Sequence, residues 1–185
     1  MAHWGMKSVH CRILRRDFAV FFCGTKTGME LALNIGIRKR IRGDFRVVGL
    51  LIVTHGSFSR EIINSVELII GKQKSVEALT LTAGEDVSEL HAKIEQKREA
   101  LNQGNGVLIL VDLLGGSPWN VASICTKAED VECVSGLNMP MLLEALEGRD
   151  ACSLQELKAA CMRAAVEGVV SARDLFWGCC EEEGA

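Results

Sequence analysis

One apolar run constrains the fold more than any other feature: Val47 to Thr54 is followed at once by His55 and Gly56. A run of this length, ended by glycine, is typical of a strand buried on both faces of a parallel sheet. His55 is therefore expected at the strand's end, where the loops of open α/β sheets form a crevice for ligands and catalytic groups. An imidazole there can act as a nucleophile near neutral pH. Taken alone, such a histidine more often only packs against the end of its strand.

A second apolar run favours the chemical interpretation. Gly106 to Val111 has the same pattern of a buried strand, and it ends in Asp112. If the two strands are neighbours, Asp112 and His55 meet at one edge of the sheet. A carboxylate that accepts a hydrogen bond from one ring nitrogen fixes the tautomer and leaves the other nitrogen free to attack.

The loop after Asp112 contains Gly115, Gly116, Ser117 and Pro118. The two glycines allow a close approach of the backbone to an anion, while Ser117 is predicted as a helix N-cap and Pro118 as the first helical residue. N–H groups at the start of a helix favour phosphate. The same residues are equally typical of an ordinary loop-to-helix junction, so it is the combination with His55 that predicts a phosphate site.

Length and cysteine content indicate one compact domain in a reducing compartment, and hence a cytoplasmic protein. The chain has 185 residues and eight cysteines, with no C-x-x-C spacing, so no zinc site is predicted. Cys125, Cys133 and Cys161 lie in apolar patterns and are expected as buried free thiols, whereas Cys179 and Cys180 are expected to be exposed. No run approaches the ~20 apolar residues that a membrane span needs.

Charge divides the chain just before the first strand. Residues 1–46 carry ten Lys/Arg and three Asp/Glu, a balance of +7, whereas residues 47–185 carry eleven and twenty-one, a balance of −10. The basic segment has no helical or strand period. We interpret it as a poorly ordered extension or a start codon placed too far upstream, in preference to an arm that binds nucleic acid or a membrane surface.

From Val47 onward, strand and helix patterns alternate. The predicted strands are Val47 to Thr54, Val76 to Thr82, Gly106 to Val111 and Val131 to Ser135. The predicted helices are Phe58 to Gly71, Asp86 to Asn102, about Pro118 to Thr126, Met141 to Glu147 and Ser153 to about Glu167. This alternation predicts a doubly wound, three-layer α/β domain over residues 47–176, with a mainly parallel four-stranded sheet covered by helices on both faces. Gly168 to Leu175 can add a short edge strand, and residues 177–185 form an acidic tail.

Three motifs in this domain resemble a known family. They are Thr54-His55-Gly56, then Leu110-Val111-Asp112 with Gly115-Gly116-Ser117-Pro118, and finally the stretch from Gly136 to Leu142. In order and spacing they resemble the enzyme IIA component of the mannose, fructose and sorbose family of the bacterial sugar phosphotransferase system. The chain departs from the family pattern in its first 46 residues and at Leu113-Leu114, where an aromatic residue is common.

The resemblance implies a phosphotransferase that works without a cofactor or metal. His55 would accept a phosphoryl group from the phosphocarrier protein HPr and pass it to a IIB component, with the membrane components IIC and IID involved indirectly. Asp112 would orient His55, and Ser117, Gly116 and Gly115 would hold the phosphate. The resemblance further implies a strand order of 2-1-3-4 and a homodimer that exchanges a C-terminal strand. The choice of sugar belongs to the membrane components.

Two other functions stay open at this stage. The first is the phosphotransfer subunit of the phosphotransferase-dependent dihydroxyacetone kinase, which shares the fold. The second is a non-catalytic regulatory module that is phosphorylated on His55. No helix-turn-helix, G-x-G-x-x-G or P-loop pattern is present in the sequence, so neither a complete transcription regulator nor a nucleotide-binding enzyme is expected, and no nucleic-acid partner is predicted.

Overall fold

The computed structural model describes residues 47–82 and 84–177. In this part of the chain, strands alternate with helices much as the sequence predicts. The elements are β1 (Gly49–His55), α1 (Phe58–Ile70), β2 (Val76–Leu81), α2 (Val87–Leu101), β3 (Val107–Val111), α3 (Ser117–Ala122), a 3₁₀ helix (Ser123–Lys127), β4 (Val131–Ser135), α4 (Met139–Gly148), α5 (Leu154–Glu167) and α6 (Ala172–Trp177).

The four strands form one sheet in the order β2-β1-β3-β4, and every neighbouring pair is parallel. This confirms the predicted parallel sheet and the order that the resemblance implied. Val53 of β1 lies opposite Val111 of β3. Because the two strands run in the same direction, His55 and Asp112 follow these residues at the same edge of the sheet.

The side chains of the central strands point alternately to the two faces of the sheet, and a different set of helices covers each face. Leu50 and Ile52 of β1 pack with α1, α4 and α5, whereas Leu51 and Val53 pack with α2 and α3. A strand presents successive side chains to opposite faces, so the apolar run buries side chains on both of them. By the same alternation, Thr54 belongs to the α1 face.

Short polar side chains at the N-cap position start three of the four longer helices that the structure describes, namely α2, α4 and α5. Asp86 accepts a hydrogen bond from the Ser88 N–H at 2.9 Å at the start of α2, and Asn138 does the same for the Met141 N–H at 3.0 Å before α4. Ser153 forms a capping box with Glu156 at the start of α5. Each bond satisfies an N–H group that the helix itself leaves without a partner.

The predicted helix between Pro118 and Thr126 is instead two shorter pieces. The α-helix ends at Ala122, and residues 123–127 continue as a 3₁₀ helix. The Thr126 hydroxyl donates to the Ser123 carbonyl at 2.7 Å. Hydroxyls that bond the carbonyl of a preceding turn compete with α-helical geometry, which explains the tighter winding here.

The short C-terminal edge strand expected between Gly168 and Leu175 is wrong. The chain from 168 to 171 has no regular structure, and α6 begins at Ala172. The Asp174 N–H lies 3.3 Å from the Ser171 hydroxyl, and the Leu175 N–H donates to the Ser171 carbonyl at 2.9 Å. Ser171 therefore starts a helix, and this local cap outweighs the strand preference of the two valines before it.

The expected N-terminal extension 1–46, the thiols of Cys179 and Cys180, and the tail beyond Trp177 lie outside the described residues. Of the cysteines predicted to be buried, Cys125 and Cys161 are buried and Cys133 is half-buried. None of the described helices has the length and the apolar character that crossing a membrane requires.

We propose that residues 47–177 fold as a unit without the basic segment, because the two described strands that pair with β1, namely β2 and β3, lie downstream of it. A chain beginning at Asp44 should keep its free energy of unfolding within about 1 kcal/mol of the full chain. Chemical denaturation of both chains tests this. A larger loss in the shorter chain would show that the first residues contribute to the core.

Candidate active site

The side chains of His55 and Asp112 meet at the carboxyl edge of the sheet. His55 is the last residue of β1, and Asp112 directly follows β3. His55 Nδ1 lies 2.9 Å from Asp112 Oδ2. The imidazole is 44% exposed and the carboxylate 17% exposed, so the ring can be reached from solvent while its partner is largely covered.

The Asp112 carboxylate accepts hydrogen bonds from two further N–H groups. Its Oδ2 atom lies 2.9 Å from the backbone nitrogen of His55, and its Oδ1 atom lies 2.9 Å from that of Leu113. An ionised carboxylate only accepts hydrogen bonds, so Nδ1 of His55 must be the protonated ring nitrogen. The lone pair of the neutral imidazole is then on Nε2, which is the nucleophilic atom of this arrangement.

Glycine at position 116 allows the His55 ring to lie where it does. A Cβ atom on Gly116 would stand 2.7 Å from His55 Cε1 and 3.4 Å from Nε2. The first distance is shorter than real carbon contacts allow. Gly56 has a different role: its φ of +55° permits the turn after β1, in which its N–H donates to the Leu81 carbonyl at 2.9 Å.

The predicted phosphate loop lies beside the ring at Gly116, but Ser117 is not the N-cap. Gly116 occupies that position in an extended conformation, and Ser117 is the first residue of α3. The helix thus begins one residue earlier than the sequence predicts, because the extended backbone of Gly116 already ends the loop. The Ser117 hydroxyl is therefore not used as a cap, and Ser117 lines the same cleft as His55. Gly115 adopts φ +79°, and a Cβ placed there would meet no atom within 4 Å.

Two buried hydroxyls hold the turn that presents His55, and neither was among the predicted site residues. Thr54 and Ser59 are both fully buried. The Ser59 N–H donates to Thr54 Oγ1 at 2.7 Å, and Ser59 Oγ donates to the Leu79 carbonyl of β2 at 2.9 Å. Thr54 thus satisfies a free N–H group at the start of α1, which Ser57 does not cap. A polar residue in an apolar strand was the available signal, because buried hydroxyls need partners.

The loop between β2 and α2 also lines the cleft. It contributes Thr82, Gly84 and Glu85 to the lining that includes His55 and Ser117. The Thr82 N–H donates to Glu85 Oε2 at 2.7 Å. This hydrogen bond lowers the pKa of Glu85 below its usual value, and Lys93 adds to the effect from 3.7 Å. The rim therefore carries a negative charge at neutral pH.

Among the described residues, one group of side chains has the composition of a metal site: His91, Glu95 and Cys125. None of them lines the cleft beside His55.

Thr54→Val should destabilise the domain by about 1–3 kcal/mol, because it leaves the buried Ser59 N–H without an acceptor. Thr80→Val is the matched control, since Thr80 lies opposite Thr54 on β2 and is only half-buried. Denaturant unfolding of both variants measures the difference. Equal losses of free energy would contradict the role given to Thr54.

Comparison with known proteins supports the resemblance of the motifs. The family described as the PTS system fructose IIA component matches residues 49–162. The mannose-specific EIIAB component of Escherichia coli (strain K12) is 36% identical over 124 residues, which are 66% of this chain and 38% of that protein. The chain thus spans well under half the length of its mannose-specific relatives. The fructose-specific EIIA component of Bacillus subtilis (strain 168) is 30% identical over 112 residues, or 60% of this chain and 77% of the relative.

A solved structure agrees with these sequence matches. The phosphotransferase system component EIIA from Streptococcus agalactiae superposes with a TM-score of 0.62 at 31% identity, covering 67% of this chain and 96% of that one. Since the family match includes all four strands, His55, Asp112 and the loop to α3, the chain belongs to the fructose- and mannose-type IIA family of the sugar phosphotransferase system.

Proposed function

We propose that the chain is a phosphocarrier that accepts a phosphoryl group from HPr on Nε2 of His55 and transfers it to a IIB component. The observation that carries this proposal is the 2.9 Å contact of His55 Nδ1 with Asp112, in a ring that is nearly half exposed. The contact fixes the tautomer, and the exposure allows a second protein to reach the nucleophile. Membership of the IIA family supports the same assignment.

The chemical step is an in-line exchange of one phosphorus–nitrogen bond for another. Nε2 of neutral His55 donates its lone pair to the phosphorus of the donor's phosphohistidine, and the donor imidazole leaves with the electron pair of the broken bond. His55 then carries the phosphoryl group and a positive charge, which the Asp112 carboxylate stabilises through Nδ1–H. Positioning and electrostatics suffice for such a transfer, because the group being moved is already activated.

The loop of Gly115, Gly116 and Ser117 is the proposed phosphate-binding element. The absence of a side chain at Gly116 leaves space beside Nε2, and the Ser117 hydroxyl lines the same cleft. Residues 47–185 carry a balance of −10. Because this charge repels phosphate, donors close to the ring must supply the attraction.

An apolar rim beside the ring is the proposed contact surface for the phosphodonor. Leu113 is 59% exposed and Leu114 is 67% exposed, directly after Asp112, and Phe58 is exposed just after the His55 turn. Exposed apolar side chains next to a reactive group are typical of surfaces that meet a protein partner.

The remaining partners belong to the same proposal. The name of the Escherichia coli relative joins an A and a B component, which supports a IIB protein as the acceptor. We place the reaction in the cytoplasm, with the membrane components IIC and IID downstream.

A homodimer is supported by exposed apolar side chains near the C-terminal end of α5 and after it, namely Met162, Val166, Val169, Val170 and Leu175.

Incubation with phosphoenolpyruvate, enzyme I and HPr should label the chain with one acid-labile, base-stable phosphate, and His55→Ala should abolish the label. His10→Ala is the control, because His10 lies outside the residues that match the family. Labelling measured by radioactivity or intact mass decides the matter. A label that persists in His55→Ala would falsify the assignment.

Asp112→Asn should keep the fold and slow transfer by at least about tenfold. The carboxylate accepts the His55 N–H groups on Oδ2 and the Leu113 N–H on Oδ1. The amide of the variant has one oxygen and one NH₂ group. In either orientation the NH₂ group therefore faces N–H donors, either those of His55 or that of Leu113.

Asp86→Asn is the matched control for this variant. It removes the same charge, but asparagine caps a helix as well as aspartate does, so the bond to the Ser88 N–H is kept. Single-turnover labelling by phospho-HPr measures both rates. Equal rates in the two variants would make Asp112 a structural residue only.

A further inference from the structure

A second cluster of reactive side chains lies on the α2 face of the sheet. His91 and Glu95 stand one turn apart on α2, and Cys125 comes from the 3₁₀ helix that follows α3. One ligand atom from each of the three lies within 4.8 Å of the others. His91 and Glu95 are both half-buried.

From this convergence we propose that His91, Glu95 and Cys125 bind one divalent transition-metal ion of the zinc type. The donor set supplies a ring nitrogen, a carboxylate oxygen and a sulfur, which are the three ligand types that zinc takes in proteins. Three protein ligands leave the fourth tetrahedral position for water. This site is independent of His55 and of the proposed phosphocarrier function.

The distances between the three ligand atoms suit a small ion once the side chains move closer together. Zinc bonds of about 2.0–2.3 Å in a tetrahedron place the ligand atoms roughly 3.3–3.8 Å apart. Atoms that lie at the 4.8 Å limit therefore need to approach by about 1.0–1.5 Å, which side-chain rotation provides. His91 and Glu95 are partly exposed, so the ion has a path from solvent, while the sulfur of the buried Cys125 lines the inner end.

Glu95 is already oriented by a neighbouring cation. Arg98 Nε donates to Glu95 Oε2 at 2.9 Å. A carboxylate has two oxygens, so one can keep this bond while the other binds the ion. A hydrogen bond that fixes the orientation of a ligand is a regular feature of protein metal sites.

Metal binding must displace a proton from Cys125. Burial, and then the hydrogen bond to Glu95, raise the pKa of the Cys125 thiol to about 12. When the ion binds, the S–H bond breaks, the sulfur donates its electron pair to the metal, and the proton leaves to solvent. Because the thiol binds the ion as its thiolate, one proton is released from Cys125 for each ion bound. The apparent affinity should then rise tenfold for each unit of pH.

The experiment titrates the reduced full chain with Co²⁺ and displaces it with Zn²⁺. A thiolate-to-cobalt charge-transfer band and tetrahedral d–d bands should report one bound equivalent, strengthening tenfold per pH unit between about pH 7 and 9. His91→Ala and Cys125→Ser should each lose this equivalent. Zinc should raise the melting temperature of the parent chain and leave that of both variants unchanged.

Two matched controls separate this site from other thiols and imidazoles. Cys152→Ser removes a half-buried thiol from the other face of the sheet, and His55→Ala removes the imidazole of the cleft; both should keep the equivalent. If Cys125→Ser fails to fold, the half-exposed His91→Ala decides the question. Equal binding by His91→Ala and the parent chain, or loss of binding in His55→Ala, would overturn the proposal.

Discussion

The carboxylate of Asp112 is the contact on which the site depends. It accepts the backbone N–H of His55, the ring N–H of His55 and the N–H of Leu113, so it joins the end of β1 to the loop that leaves β3. This requires β1 and β3 to be parallel neighbours, with Val53 opposite Val111. One side chain therefore completes the backbone hydrogen bonding at the sheet edge and also fixes which ring nitrogen carries the proton. The structural and the chemical roles of Asp112 have the same cause.

The sequence predicts β1 and β3 well because strands buried on both faces leave little room for polar residues, and their apolar runs are correspondingly clear. It does not by itself predict the order of the strands, which depends on contacts between distant segments; here the order came from the resemblance of the motifs to a family. The prediction of an edge strand after Gly168 is wrong for a local reason. Two valines suggested a strand, but Ser171 caps the following turn and starts α6.

The sequence predicts the site residues that stand at the ends of strands. It misses the contacts that form only when helices pack on the sheet. His55 and Asp112 could be paired from two strand patterns, whereas the start of the helix at Ser117 was predicted one residue too late, because glycine also occupies the N-cap position although it has no capping side chain. The cluster of His91 and Glu95 with Cys125 joins α2 to the 3₁₀ helix. No local period or spacing encodes such contacts, since they exist only after the helices have packed on the sheet.

Gly116 shows how narrowly the reactive ring is accommodated. Its backbone, with φ −70° and ψ 166°, is one that any residue adopts, so the fold itself does not require glycine there. An added Cβ would meet the His55 ring at 2.7 Å, whereas the nearest backbone atom, the Leu113 carbonyl oxygen, would be at 3.4 Å. A methyl group at position 116 would therefore act on the His55 ring and not on the backbone. The ring would have to move from its place beside Asp112, so the orientation of one side chain depends on the absence of another.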